Sequence, residues 1–200
     1  MNERPRLRSL LPLLALIVAA CSPAGGSSAG EPPLAGARLG GPFTLTDQNG
    51  ARFDSRALEG KYRLVYFGYT FCPDVCPVDL QQIGLALKRF ESEDPARAAR
   101  LQPLFITTDP ERDTPKVMKE YVSAFHPRLI GLTGSPQEIA AVSKDYGVWS
   151  AKKETEGASE YLVNHSRTAL LFGPGGEPIA ILPHQDGADA ILAELKKWVR

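Results

Sequence analysis

Between Arg63 and Phe90 the apolar residues change period, and the change falls on Phe71-Cys72-Pro73-Asp74-Val75-Cys76-Pro77. Before it, Arg63 to Tyr69 (RLVYFGY) is rich in β-branched and aromatic residues and is bounded by Gly60, which reads as a buried central strand. After it, Leu80, Ile83, Leu87 and Phe90 recur at helical spacing, while Asp79, Gln82, Lys88 and Arg89 fall on the other face. A strand thus hands over to a helix at two cysteines four positions apart. At a helix start both sulfurs can lie on one side of the first turn, where exposed N–H groups and the dipole favour thiolate.

The rest of the chain repeats the alternation. Phe43 to Thr46, the turn Asn49-Gly50 and Ala51 to Asp54 predict an opening β-hairpin. Leu101 to Thr107 is a second apolar strand. After the loop Asp109 to Asp113 comes a helix with Thr114 as cap, Pro115 in its first turn and Val117, Met118, Tyr121, Val122 and Phe125 inward. A short strand at Leu129 to Leu132 leads to Ser135-Pro136-Gln137-Glu138, a capping box, with Ile139, Val142 and Tyr146 behind it. Lys152 to Glu160 is polar and reads as a surface loop. Strands at Thr168 to Phe172 and Ile179 to Leu182 flank a Gly-Pro turn, and Ala188 to Trp198 closes the chain as an amphipathic helix. The pattern predicts an α/β class: a thioredoxin-like fold with an N-terminal β-hairpin and insertions, its mixed central sheet flanked by helices.

At 200 residues and 43% hydrophobic content the chain has room for one domain with accessories. Its formal net charge is zero, which argues against a nucleic-acid surface. Arg4, Arg6 and Arg8 precede the apolar run Leu10 to Ala20, the layout of a secretory signal and too short to span a bilayer comfortably. Val18-Ala19-Ala20-Cys21 resembles a bacterial lipobox, with cleavage before Cys21 and lipid on its sulfur. Residues 22 to 36, rich in Gly, Ser and Pro, read as a flexible tether. The expected organisation is a signal peptide at 1–20, a lipidated Cys21 with linker at 21–38, and one domain at 39–200. Removing residues 1 to 20 leaves 20 basic and 22 acidic residues, a charge of −2. The localisation that follows is extracytoplasmic, in the cell envelope and lipid-anchored to a membrane, on the periplasmic side in a Gram-negative cell.

Cys72 and Cys76 admit several chemistries. A static disulfide over so small a loop stabilises little. A thioredoxin-type redox site usually shows Cys-x-x-Cys, one residue shorter. Structural zinc wants four protein ligands. Copper(I) is satisfied by two soft thiolates and one further ligand. Peroxidase chemistry fits poorly, because Tyr69-Thr70-Phe71 lacks the peroxiredoxin pattern before the cysteine. Of the three histidines, His126 in Phe125-His126-Pro127 reads as a partly positive imidazole at a helix end, and His184 as a solvated residue in a polar turn. His165, in Tyr161-Leu162-Val163-Asn164-His165-Ser166, immediately precedes a strand that runs beside the cysteine-bearing helix in the expected fold.

These residues carry a resemblance. Tyr66 to Pro77 (YFGYTFCPDVCP), Asp109 to Pro115 (DPERDTP) and Tyr161 to Ser166 (YLVNHS) resemble the three signature blocks of the Sco (SCO/SenC) copper chaperones, and the match covers nearly all of 39–200. The resemblance implies a thioredoxin-like domain that binds copper, Cu(I) and also Cu(II), through Cys72, Cys76 and His165. It implies a metallochaperone, not an enzyme, that serves the dinuclear copper centre of cytochrome c oxidase subunit II, with another periplasmic copper chaperone as donor. Asn164 stands where many members have Asp, which changes the expected neighbour of His165. Asp109 and Asp113 are read between loop salt bridges and a role beside the site. The competing readings are a thiol-disulfide reductase with Cys72 and Cys76 as its redox-active pair, keeping the recipient's cysteines reduced, and a redox or copper sensor.

Overall fold

The structure, a computed structural model, describes residue 1, residues 30–154 and residues 161–200. The expected signal peptide beyond residue 1, Cys21, most of the expected tether and residues 155–160 of the expected surface loop lie outside the described residues. The elements follow in the order β1 (Thr44–Asp47), β2 (Arg52–Asp54), β3 (Tyr62–Gly68), α1 (Val75–Glu93), α2 (Pro95–Ala98), β4 (Leu101–Thr107), α3 (Pro115–Ser123) and β5 (Ile130–Thr133). Then come α4 (Pro136–Asp145), β6 (Ser150–Lys153), β7 (Leu162–His165), β8 (Ala169–Phe172), β9 (Pro178–Ile181) and α5 (Ala188–Trp198).

Seven strands form a mixed sheet in the order β2-β1-β5-β4-β3-β8-β9. β3, β4 and β5 are parallel neighbours, and β8 runs antiparallel to β3. All seven residues of β3 are buried, as its apolar run from Leu64 to Phe67 requires of a strand covered on both faces, and Arg63 is buried with them. Strand alternation divides the core between those faces. Leu64 and Tyr66 join Phe105 and residues of α1, α3 and α5 on one side, while Val65 and Phe67 join Leu104, Ile106 and residues of β1 and α4 on the other. Helix starts follow local chemistry: Thr114 caps α3 through Val117 N–H, and Ser135 and Glu138 close the expected capping box on α4. Gly84 lets α1 pack closely, since a Cβ there would lie 2.7 Å from the Phe125 carbonyl oxygen.

The fold departs from the sequence pattern in four places. Packed chain begins before Leu39: Leu34 rests on the second apolar cluster and its N–H donates to Ile179 O at 3.0 Å. Lys152 and Lys153, expected in a loop, belong to β6, which pairs antiparallel with β7 as a separate two-stranded ribbon held by hydrogen bonds instead of burial. His126, expected as a partly positive imidazole at a helix end, and His184, expected as a solvated residue, are both buried, at 1% and 3% exposure. Burial pushes the His126 pKa down, away from the charged form expected at a helix end. Asp79, expected on the outer face of α1, is fully buried.

Candidate metal centre

The C-terminal end of β3 delivers the chain to the cysteine loop, and α1 begins at Val75. Cys72 is half-buried, Cys76 is fully buried, and both are free thiols. His165 arrives from a different direction, as the last residue of β7. Its Nε2 lies 3.3 Å from Cys76 Sγ, and the two sulfurs and one imidazole nitrogen all lie within 4.8 Å of one another. Among the described residues this is the one group of three or more His, Cys, Asp and Glu side chains whose ligand atoms converge in this way.

Each member is held in place. His165 Nδ1 is 3.0 Å from the Ser166 carbonyl oxygen, so the ring proton sits on Nδ1 and the Nε2 lone pair faces the sulfurs. The Tyr69 ring meets the imidazole edge-on, with centroids 5.8 Å apart, and its hydroxyl oxygen accepts the Val163 N–H at 3.3 Å. Cys72 Sγ accepts the N–H of Cys76 at 3.4 Å, a helix N-terminal donor. Gly68 supplies the space for Cys76: a Cβ there would lie 3.0 Å from Sγ.

The two thiols share one proton unequally. The hydrogen bond from the Cys76 thiol, with the N–H groups of Asp74 and Cys76, lowers the Cys72 pKa to about 3 against the opposing effect of burial. The same hydrogen bond and burial raise that of Cys76. The resting pair is therefore a half-exposed thiolate above a buried thiol. Two soft sulfurs and a neutral imidazole nitrogen suit Cu(I), which needs few ligands.

Asp109 and Asp113 contribute no atom to the converging group but hold the loops that do. Asp113, buried, accepts Thr70 N–H (3.1 Å) and the hydroxyls of Thr70 (2.6 Å) and Thr107 (2.5 Å), which fixes the turn two residues before Cys72. Burial raises its pKa against those bonds. Asp109 accepts the Tyr161 hydroxyl at 2.8 Å and Arg112 Nε at 2.5 Å. The Arg112 guanidinium in turn lies 3.9 Å from the Tyr161 ring centroid and 4.9 Å from that of Phe71, joining the cysteine loop to the β6–β7 ribbon. Asn164 points outward and is exposed, so the partner of His165 is the Ser166 carbonyl and not residue 164.

The sequence reading missed the layer beneath Cys76. Buried Asp79, three residues along α1, accepts the Tyr66 hydroxyl at 2.8 Å and Arg167 Nε at 2.6 Å, with a second bond from the Arg167 guanidinium. His184 Nε2 lies 3.5 Å from the same carboxylate. The available signal was the pairing of opposite charges two and three residues beyond His165 and Cys76, which no local pattern picks out.

A family model described as SCO1/SenC matches residues 31–200. The chain is 45% identical over 171 residues to Protein SCO1 homolog 1, mitochondrial, of Arabidopsis thaliana, covering 85% of this chain and 50% of that protein. It is 40% identical over 166 residues to Protein SCO2, mitochondrial, of Saccharomyces cerevisiae, covering 80% and 54%. The chain thus spans about half the length of these relatives. Among solved structures, Bradyrhizobium japonicum ScoI with copper bound superposes with a TM-score of 0.72 at 39% identity, over 80% of this chain and 99% of that one. The thioredoxin domain of a Bacteroides vulgatus thiol-disulfide oxidoreductase shares the fold alone, at 16% identity and a TM-score of 0.53, over 81% of this chain and 96% of that one.

Proposed function

The chain belongs to the SCO1/SenC family, and from that premise we propose that it binds copper in the assembly of cytochrome c oxidase, the process in which the Sco family acts. The finer reading is a metallochaperone that takes copper from a donor chaperone and delivers it to the dinuclear centre of subunit II. The observation that carries it is the convergence of Cys72 Sγ, Cys76 Sγ and His165 Nε2 within 4.8 Å, with neither cysteine in a disulfide. The Cys72 thiolate is the group an arriving copper ion meets first, since Cys76 is fully buried. Binding to the second sulfur releases the Cys76 proton, and His165 presents its lone pair without rearrangement. A three-coordinate ion leaves room for an incoming sulfur of the recipient, so transfer proceeds by ligand exchange with no change of oxidation state.

The polarised pair also favours a second activity. The Cys72 thiolate attacks one sulfur of a recipient disulfide and releases the other as thiolate. Cys76, once deprotonated, then attacks Cys72 Sγ, freeing the reduced recipient and leaving a Cys72–Cys76 disulfide that an external thiol must reduce. We place the protein on the extracytoplasmic face of an envelope membrane, with residues 1–20 as signal, Cys21 as the lipid-bearing residue and the intervening chain as tether.

The test is Cu(I) stoichiometry and affinity of the full chain beside His165→Ala, with transfer to the soluble domain of subunit II as a second readout. One Cu(I) per chain, held more weakly by His165→Ala and passed on by the wild type, is the expected result. A variant that holds and passes copper as the wild type does refutes the three-ligand site. Reduction of the subunit II disulfide by both proteins alike would isolate the thiol activity, which needs no histidine.

A further inference from the structure

β3 leads at one end to the cysteine loop; at the other end it carries Arg63, which is only 8% exposed. Strand alternation places Arg63 on the same side as Val65 and Phe67, a position normally filled by an apolar residue. Among the described residues its guanidinium has no hydrogen-bond or ion-pair partner, and Nε is wholly buried without one. Arginine does not relieve such a position by losing its proton, and an uncompensated buried charge is strongly unfavourable. A partner from outside the chain removes that cost.

The surroundings suit an anion. Arg63 lines a cleft of about 320 Å³ together with Arg56, Ser55, Gly41 and Gly176. Ser55 is buried, and its Oγ accepts the Phe43 N–H at 2.9 Å, which leaves the hydroxyl proton with no acceptor among the described residues. Gly41 and Gly176, at φ +148° and +88°, put bare backbone on two walls where no side chain fills the volume. The single lining carboxylate, Glu59, is exposed and pairs with neither arginine, while Arg56 meets Asp54 at 3.3 Å on the open side.

We propose that this cleft binds a phosphate group, gripped by Arg63 and assisted by Arg56 and the Ser55 hydroxyl. Two guanidinium groups and a hydroxyl lining one cleft offer more donors than a planar carboxylate can engage, and suit a tetrahedral oxyanion. The site is independent of the thiols, which lie beyond the opposite end of β3. Free phosphate and a lipid headgroup phosphate share this chemistry.

The experiment uses the full chain in neutral detergent micelles, with amide signals of Ser55 and Gly176 and the Arg63 Nε–H signal followed by NMR during titration with inorganic phosphate. A saturable shift is expected in the wild type, with affinity reduced about tenfold or more in R63M and R56A by loss of a charge-assisted bond. Cu(I) stoichiometry is expected to stay unchanged and reports that the fold is intact. Bicelles containing phosphatidylglycerol distinguish the sources: shifts induced by them and reversed by inorganic phosphate assign a headgroup, and shifts with inorganic phosphate alone assign the free anion. The proposal is overturned by the absence of a saturable shift from either source, or by a folded R63M that responds as the wild type does. Should R63M fail to fold, S55A and R56A decide, and unchanged affinity in both overturns it.

Discussion

Arg167 and Asp79 form a two-pronged ion pair that joins the two halves of the candidate metal centre: Arg167 lies two residues after His165, and Asp79 lies three residues after Cys76. The Asp79 side chain is fully buried, whereas about a third of the Arg167 side chain reaches solvent. The pair therefore ties the start of the cysteine helix to the segment that carries the histidine. Its members are unequal in what they lose when parted.

Arg167→Met is expected to destabilise the fold by about 3–5 kcal/mol, because it strands a buried carboxylate. Asp79→Asn is expected to cost less, because Arg167 can turn to water and the amide still accepts the Tyr66 hydroxyl. Chemical denaturation of the two variants checks the order. Equal losses would mean that the pair is a surface contact in effect.

Cys72 is expected to be the reactive thiol of the reduced, metal-free protein. Its pKa is lowered to about 3, so the thiolate persists as pH falls and is lost only near that value, whereas Cys76 stays protonated and shielded. Thiolate absorbance against pH, with mapping of the alkylated cysteine, measures this. Labelling mainly at Cys76, or a midpoint in the ordinary thiol range, would contradict the assignment of the proton.

Gly68→Ala places a methyl group 3.0 Å from Cys76 Sγ, and its other near neighbours are the Phe105 and Tyr66 rings, at 3.0 and 3.2 Å. The sulfur must move, so weaker Cu(I) binding is expected together with a stability loss of about 1–3 kcal/mol from overpacking. Competition for Cu(I) with a chelator and thermal melting separate the two effects. Unchanged copper affinity would show that the site tolerates the shift.

Glu138 gives a dependence on acid. The Ser135 N–H, followed by Arg52 and the Ser135 hydroxyl, lowers its pKa from 4.5 to about 2. A depressed carboxylate contributes stability that is complete above its unfolded value and is lost as pH falls towards its folded one. Glu138→Gln should therefore melt below the wild type at neutral pH, by about 1 kcal/mol given its partial exposure, with the gap closing between about pH 5 and pH 2. A gap independent of pH would assign the effect to shape instead of charge.

The part of the fold governed by neighbours within a turn or two is legible in the sequence. The period change at the cysteines, the bounds of β4 and α5, the caps of α3 and α4 and the mixed sheet between helices could all be read from local pattern. The pairing of His165 with Cys72 and Cys76 came from the resemblance of three separated blocks. Which polar groups go inside follows from packing between distant segments. Asp79 looks like an outer-face residue of α1 until Arg167, 88 positions away, arrives to pair with it, and Leu34 looks like tether until Ile179 offers a backbone partner. His184, Gly68 and the β6–β7 ribbon are of the same kind. Burial of a charge and pairing of a polar strand depend on partners distant in sequence, and hydrophobic period carries no information about them.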